Sequence, residues 1–374
     1  MSTILGVYLG HNATAALVKD GMVLSAASEE RFSGRKNHSG YPLAAVDFCL
    51  TRAGIHGRDI DCVALPSLTG TPTNQSEHTK RGLASQRLAF LHRLSLAVRS
   101  RLGALTYRSD VARRVSDLTY SLASRTAARY ANQQLRGEIS SLLSIPVSRV
   151  RAYDHHLSHA AAYFASPFNR DDALVMVLDG EGDDCSATIY AAKDGSLRQI
   201  ARSPRSASLG ILYASVTIFL GMKANEHEYK VMGLAPYAKD EDVERVLTKL
   251  RGIIYPDPSN PLVFRSRFNT WDTLHFLDDQ FRRTRFDHIA GAAQRLVEEL
   301  VVAWVNEAVT RTGIRTVVLA GGVFMNVKVN KLLMESSAIE RLWAMPSAGD
   351  ESAPIGAAYL ASRELGVRDF APIT

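Results

Sequence analysis

Two histidines, His155 and His159, stand four residues apart in the stretch Asp154-His155-His156-Leu157-Ser158-His159. Ala160, Ala161, Ala162 and Tyr163 follow and predict a helix, which at that spacing carries both imidazoles on one face. Pro167 and Asn169 end it. Residues 173–178 then form a wholly apolar run of strand length, closing on a turn at Asp179-Gly180-Glu181-Gly182. This places the Asp179 carboxylate at a strand tip. Imidazole nitrogens plus a carboxylate oxygen suit zinc or iron, and the positions that two or three protein ligands leave open are where substrate oxygens bind. The competing reading is structural, with His155 a satisfied residue at the helix N-terminus, His159 packed in the interior and Asp179 capping the next element.

Other stretches offer chemistry of their own. Gly10-His11-Asn12 is a tight turn between two strands, flanked by small residues that let backbone N–H groups approach a phosphate or carbamoyl oxygen. Residues 28–38 concentrate both signs of charge beside turn formers, and Lys36 there is the candidate contact for an anionic substrate. Residues 221–235 enclose Glu226, Glu228 and Lys230 between glycines and read as a charged loop unsuited to a core, with Gly233 placed for close backbone approach. A buried strand at 316–319 leads into Gly321-Gly322-Val323, a layout that lets a nucleotide lie against the backbone at a helix start. Asn326 and Asn330 add amides for a base or ribose. Asp350 is a second carboxylate at a strand-to-helix turn.

The elements that must position these residues are legible in outline. Strands are predicted at 4–9, 13–19, 22–27, 61–65, 147–152, 173–178, 186–190, 316–319 and 342–345. Helices are predicted at 42–52, from 206 to 220, at 289–309 and at 355–365, with amphipathic helices at 83–105 and 111–135 and a polar loop at 67–78. The chain has 374 residues, 46% of them hydrophobic and 22% charged, ample for a buried core and typical of a globular protein. It contains no apolar run of transmembrane length, and its N-terminus enters a strand without a basic leader, so the expected location is cytoplasmic, away from membranes. Its three cysteines are scattered and predict neither a disulfide framework nor a zinc ribbon. Much of the net charge of +6 is local: arginines between 80 and 136 face only Asp110 and Asp117. A solvated helical surface accounts for that better than a nucleic-acid face, and nucleic acid is not an expected partner.

Glycine-bearing turns at 10–13, 179–182 and 320–323 each follow a strand. Repeated strand-strand-strand-helix units of this kind build the α/β two-lobed fold of actin, hexokinase and the Hsp70 ATPase (the ASKHA fold). The stretches GHNATAAL (10–17), SEERFSGRK (28–36), DHHLSHAAAYF (154–164), VLDGEGD (177–183), SLGILY (208–213), NEHEYKVMGLAPYA (225–238), LAGGVFMNVKVN (319–330) and GDESAPIGAA (349–358) carry a closer likeness. Through them the sequence resembles the carbamoyltransferases of nodulation and antibiotic tailoring, whose N-terminal part is Kae1-like, similar to the tRNA threonylcarbamoyladenosine protein. The resemblance runs from residue 4 to residue 360. It implies a first lobe over 1–170, with a basic helical insertion at about 80–140 and completion by the C-terminal helix at 353–374, and a second lobe over 171–352.

The same resemblance implies a divalent metal, iron(II) before zinc or manganese, on His155, His159, Asp179 and Asp350. It places His11 and Lys36 near the carbamoyl donor and acceptor, with Glu228 and Lys230 as further catalytic candidates. Gly10, Asn12, Gly180, Gly182, Gly321, Gly322, Val323, Asn326 and Asn330 would bind ATP or carbamoyl-adenylate. The implied activity is transfer of a carbamoyl group from carbamoyl-adenylate, or carbamoyl phosphate with ATP, to a hydroxyl or amine of a small-molecule natural product. Two departures qualify the pattern: Ser352 stands where a glycine is usual, and relatives usually continue into a YrdC-like domain that makes carbamoyl-adenylate, whereas this sequence stops at Thr374. Three readings follow: that half is a separate YrdC-like partner protein, the sequence is a piece of a longer one, or this member uses a different donor. The alternative within the fold is a nucleotide-binding subunit of a multi-protein complex. A kinase of the same superfamily fits less well, since it has no use for a histidine pair.

Overall fold

The computed structural model describes residues 2–69 and 132–373. Two five-stranded sheets repeat one topology. In the first, β1 (Thr3–Tyr8) lies at the centre between β2 (Thr14–Lys19) and β4 (Cys62–Leu65), with β3 (Met22–Ser28) and β5 (Val150–Ala152) outermost. In the second, β6 (Ala173–Gly182) takes the central place, β7 (Cys185–Lys193) and β8 (Ser196–Pro204) extend one side, and β11 (Thr316–Ala320) and β12 (Arg341–Ala344) the other. Each sheet has three antiparallel strands followed by two parallel ones. A duplicated 3-2-1-4-5 order is the two-lobed α/β architecture that the sequence implies. A separate two-stranded ribbon, β9 (Ile254–Asp257) with β10 (Asn260–Ser266), sits beside the second sheet.

Alternation along the central strands decides which side chains reach the space between the sheets. On β6, Leu174, Met176 and Leu178 enter an outer core with the long helix Phe286–Thr312, while Ala173, Val175 and Val177 enter the core shared by the two lobes. Asp179 continues that inner row. On β1, Leu5 and Val7 pack outward beneath α1 (Leu43–Ala53), while Ile4, Gly6 and Tyr8 form the inner row. The layer between the sheets holds α2 (His155–Ala160), the following turn Ala162–Ala165, and the C-terminal helix Ala353–Glu364. Close approach in this layer depends on two glycines. A Cβ at Gly6 would lie 2.0 Å from the Pro354 carbonyl oxygen, and one at Gly356 would lie 1.8 Å from that of Ser158.

Several expectations shift. The run 179–182 is not a turn: β6 continues through it, and the reversal falls on Asp183-Asp184, both left-handed at φ 49° and 63° between the paired Gly182 and Cys185. Two left-handed residues match a two-residue hairpin to the twist of its strands, and aspartate tolerates that conformation. Asp179 is therefore inside the strand rather than at its tip. The stretch read as a charged loop contains a helix, Glu228–Leu234, anchored by buried Val231. Gly233 lies within that helix, with nothing within 4 Å of where a Cβ would be, so no close approach occurs there. The strand foreseen at 147–152 opens with a helical turn, Val147–Arg149. The predicted loop 67–78 beyond Thr69 and the predicted helices at 83–105 and 111–135 lie outside the described residues, except that 132–143 is helical.

Candidate metal centre

Asp154 caps α2, its Oδ1 accepting from the Leu157 N–H at 2.9 Å. From that start the four-residue spacing turns His155 and His159 to the same side, their ring centroids 4.7 Å apart. Asp179 arrives from the inner row of β6, and Asp350 from the turn before the C-terminal helix. His155 Nε2 lies 3.1 Å from Asp179 Oδ2 and 3.4 Å from Asp350 Oδ1, and His159 Nε2 lies 3.2 Å from the same Asp350 oxygen. One donor atom from each of the four side chains falls within 4.8 Å of the others, and all four residues are buried.

Neighbours fix these groups for binding an ion. His155 Nδ1–H donates to the Pro66 carbonyl at 3.1 Å, which makes Nε2 the nitrogen that faces the carboxylates and would meet an ion once its own proton is displaced. Asp179 Oδ1 accepts from the Gly322 N–H at 3.0 Å, and the Tyr8 hydroxyl donates to Asp350 Oδ2. Two imidazole nitrogens and two carboxylate oxygens suit a divalent ion of the iron, zinc or manganese type, about 2.0–2.2 Å from each donor. Donors around such an ion stand roughly 3–4 Å apart, which the separations above match. The donor set fits the implied metal.

Without an ion these charges balance one another. Burial alone would lower the His155 pKa, but Asp350 and Asp179 reverse that and hold it well above its ordinary value. Burial would raise Asp350 and Asp179, and the histidines hold both below the usual carboxylate range. His156 behaves oppositely: burial beside His155 pushes it down to about 3, and its ring lies between the Cys185 carbonyl and Thr188 as a neutral packing group. A raised histidine pKa stabilises the ion-free fold fully below the unfolded value near 6.5. That contribution fades as pH rises through the folded value. Metal must displace the same proton, so affinity is expected to rise with pH, by up to about tenfold per unit while one proton is displaced. Calorimetry of Co2+ binding in buffers of different ionisation enthalpy checks this, and a pH-independent affinity with no proton release contradicts it.

The other predicted site residues fall into separate groups. His11, its side chain 45% exposed, reaches Asp350 Oδ2 at 3.5 Å from the turn after β1. Next to it Gly10 is buried, and Asn12 is left-handed with its amide 3.4 Å from Glu351. Lys36 is exposed on the loop after β3, where its charge reaches Glu226, and the adjacent Asn37 amide donates to the Asn225 carbonyl at 2.9 Å. Glu228 accepts from the Asn225 N–H at 2.8 Å, and Lys230 is exposed near the Tyr229 ring. The loop that carries Lys36 thus meets residues 225–226, just before the helix that carries Glu228 and Lys230, and none of the three belongs to the ion cluster.

The Gly180 carbonyl accepts from Ser208, while Gly182 lies against the His155 ring. Gly321, at φ 96°, lets its turn pass so near β6 that a Cβ would sit 2.2 Å from the Leu178 carbonyl oxygen. Thus the Gly321-Gly322 turn serves Asp179 directly, with Val323 half-buried beside it. Asn326 caps the helix Val327–Met334 and exchanges hydrogen bonds with Gln294, and the Asn330 amide donates to the Phe324 carbonyl. At the departure noted in the sequence, Ser352 is buried and its hydroxyl closes the turn onto the Gly349 carbonyl at 2.9 Å. Tyr8 and Asp183 escaped the sequence reading. Tyr8 looks like any strand aromatic, whereas the pair Asp183-Asp184 between two apolar runs was a usable turn signal.

The family described as Carbamoyltransferase N-terminus matches residues 3–359. The chain belongs to that family. Among relatives of this carbamoyltransferase N-terminal region, an uncharacterised protein of Synechocystis is 30% identical over 377 residues, covering 96% of this chain and 56% of that protein. Nodulation protein NolNO of Sinorhizobium fredii is 28% identical over 366 residues, covering 95% of this chain and 47% of its own length. The chain thus spans about half the length of these curated relatives. Among solved structures, component A of the (R)-2-hydroxyglutaryl-CoA dehydratase of Acidaminococcus fermentans aligns over 97% of this chain and 99% of its own, with a TM-score of 0.48 and 14% identity. No helix among the described residues is long and apolar enough to cross a membrane.

Proposed function

We propose that this carbamoyltransferase-family chain moves a carbamoyl group from an activated donor, carbamoyl-adenylate or carbamoyl phosphate with ATP, to a hydroxyl or amine of a small-molecule acceptor. The observation that carries the reading is the buried cluster of His155, His159, Asp179 and Asp350, in a chain that matches the family over residues 3–359. Those four residues would hold a divalent ion, iron(II) foremost, which when bound supplies Lewis-acid polarisation of a carbonyl or phosphoryl oxygen. His11, partly exposed beside Asp350, would take the acceptor's proton on Nε2. The acceptor oxygen or nitrogen bonds to the carbamoyl carbon, and the bond from that carbon to the phosphate oxygen breaks. The phosphate or adenylate departs with the electron pair. Lys36 and Lys230 offset its negative charge, and a YrdC-like partner would supply carbamoyl-adenylate.

The test is mass spectrometry of reactions containing the chain, Fe2+, carbamoyl phosphate, ATP, a YrdC-like protein and a panel of hydroxyl and amine acceptors. Metal-dependent donor consumption and an acceptor heavier by one carbamoyl group are expected, and both should stop on chelation. Phosphorylated product formed with Mg2+ alone, or a donor left intact with every metal, overturns the reading.

A further inference from the structure

The turn that closes β6 onto β7 carries a carboxylate with more partners than a hairpin needs. Asp183 Oδ2 accepts from the His155 N–H at 2.8 Å and the Leu68 N–H at 2.9 Å. Its Oδ1 accepts from the Thr69 N–H at 2.9 Å, the Thr69 hydroxyl at 2.7 Å and the Ser67 hydroxyl at 3.2 Å. One side chain of the second lobe thereby grips the first residue of α2 and the loop that leaves β4 in the first lobe. Both bear on the same metal-ligand candidate, because that loop begins at Pro66, whose carbonyl receives the Nδ1 proton of His155.

The grip is itself held. Arg202 donates to the Asp183 main-chain carbonyl at 2.6 Å and to the capping carboxylate Asp154 at 3.3 Å, tying the hairpin tip to the start of α2. Asp154 satisfies the Leu157 N–H and Asp183 the His155 N–H, so the second carboxylate takes another of the free donors at this helix start while also holding the loop after β4. Partial burial would raise the Asp183 pKa, but the N–H and hydroxyl donors keep it below the ordinary value, so it is an anion at neutral pH.

We propose that Asp183 is a positioning residue of the metal centre. It fixes His155 twice, through the peptide N–H that places its backbone and through the loop whose Pro66 carbonyl sets its tautomer. The inference rests on the metal reading and adds to it a residue that touches neither ion nor substrate. Partners behind a metal ligand typically alter affinity by about 10–100-fold when removed.

The experiment is a Co2+ titration of the full chain followed by visible absorption, alongside denaturant unfolding. Asp183→Asn puts an amide donor where one oxygen faces N–H groups, so its Co2+ affinity should fall by about 10–100-fold with a changed absorption band. Should Asp183→Asn fail to fold, the double variant Ser67→Ala, Thr69→Val decides, since it strips only the hydroxyl donors from the loop. There a loss of about threefold or more upholds the role. Wild-type affinity and spectrum in a folded Asp183→Asn, or wild-type affinity in the double variant if it must decide, overturns the positioning role alone. Absence of Co2+ binding by the unaltered chain overturns the metal reading and this inference with it.

Discussion

Replacing both His155 and His159 by alanine is expected to abolish divalent-metal retention and, with it, the proposed carbamoyl transfer. Each imidazole is one of four donors, and none of the other candidates, His11 included, belongs to the cluster of donors within 4.8 Å. The double variant leaves Asp179 and Asp350 buried without the cationic partner that now lowers their pKa values. Removing one side of a buried pair costs about 3–5 kcal/mol, because the remaining charge has no compensation. The ion-free double variant should therefore be less stable than ion-free wild type near neutral pH. The gap should narrow in acid, where the carboxylates take up protons and no longer need a partner. Elemental analysis after dialysis against Fe2+ reads the first effect, and denaturant unfolding at two pH values reads the second. Wild-type metal content in the double variant contradicts the assignment of all four ligands.

The main features of this arrangement were open to sequence reasoning for physical reasons. A helix repeats nearly every four residues, so His155 and His159 had to share a face wherever that helix lay. The apolar runs at 173–178 and 316–319 could be satisfied only in strands covered on both sides, and β6 and β11 are covered on both. The meeting of Asp350 with Asp179 and the histidines has no local signature, because it depends on how two lobes pack about the C-terminal helix; only family resemblance pointed to it. Hairpin register was misplaced for a related reason. Gly180 and Gly182 look like turn residues, yet both lie inside β6: a Cβ at Gly182 would run into the His155 ring, and at Gly180 the close approach is made by Gly210, whose own Cβ would stand 2.9 Å from the Gly180 backbone. The Tyr8 hydroxyl was hidden in the same way, since an inward row on β1 acquires meaning only from Asp350, far along the chain.

Gly182→Ala is expected to damage the metal centre without touching any ligand. A Cβ at this position would stand 2.0 Å from His155 Cδ2 and 2.4 Å from Cγ, well inside contact distance. The ring has little freedom to yield, because Nδ1 is bound to the Pro66 carbonyl and the residue's own N–H is bound to Asp183. Either the imidazole swings away from Asp179 and Asp350 or the end of β6 moves off α2, and both separate ligands that must converge on one ion. Overpacking of this kind costs about 1–3 kcal/mol, and loss of ligand placement should lower Co2+ affinity by at least about tenfold. Gly137→Ala is the matched control. It lies on a helix with nothing within 4 Å of its Cβ position, so alanine there should be neutral or stabilising by about 0.4–1 kcal/mol. A Gly182→Ala protein that binds Co2+ with the affinity and spectrum of the unaltered chain would mean that His155 has room to rotate and that its position does not define the site.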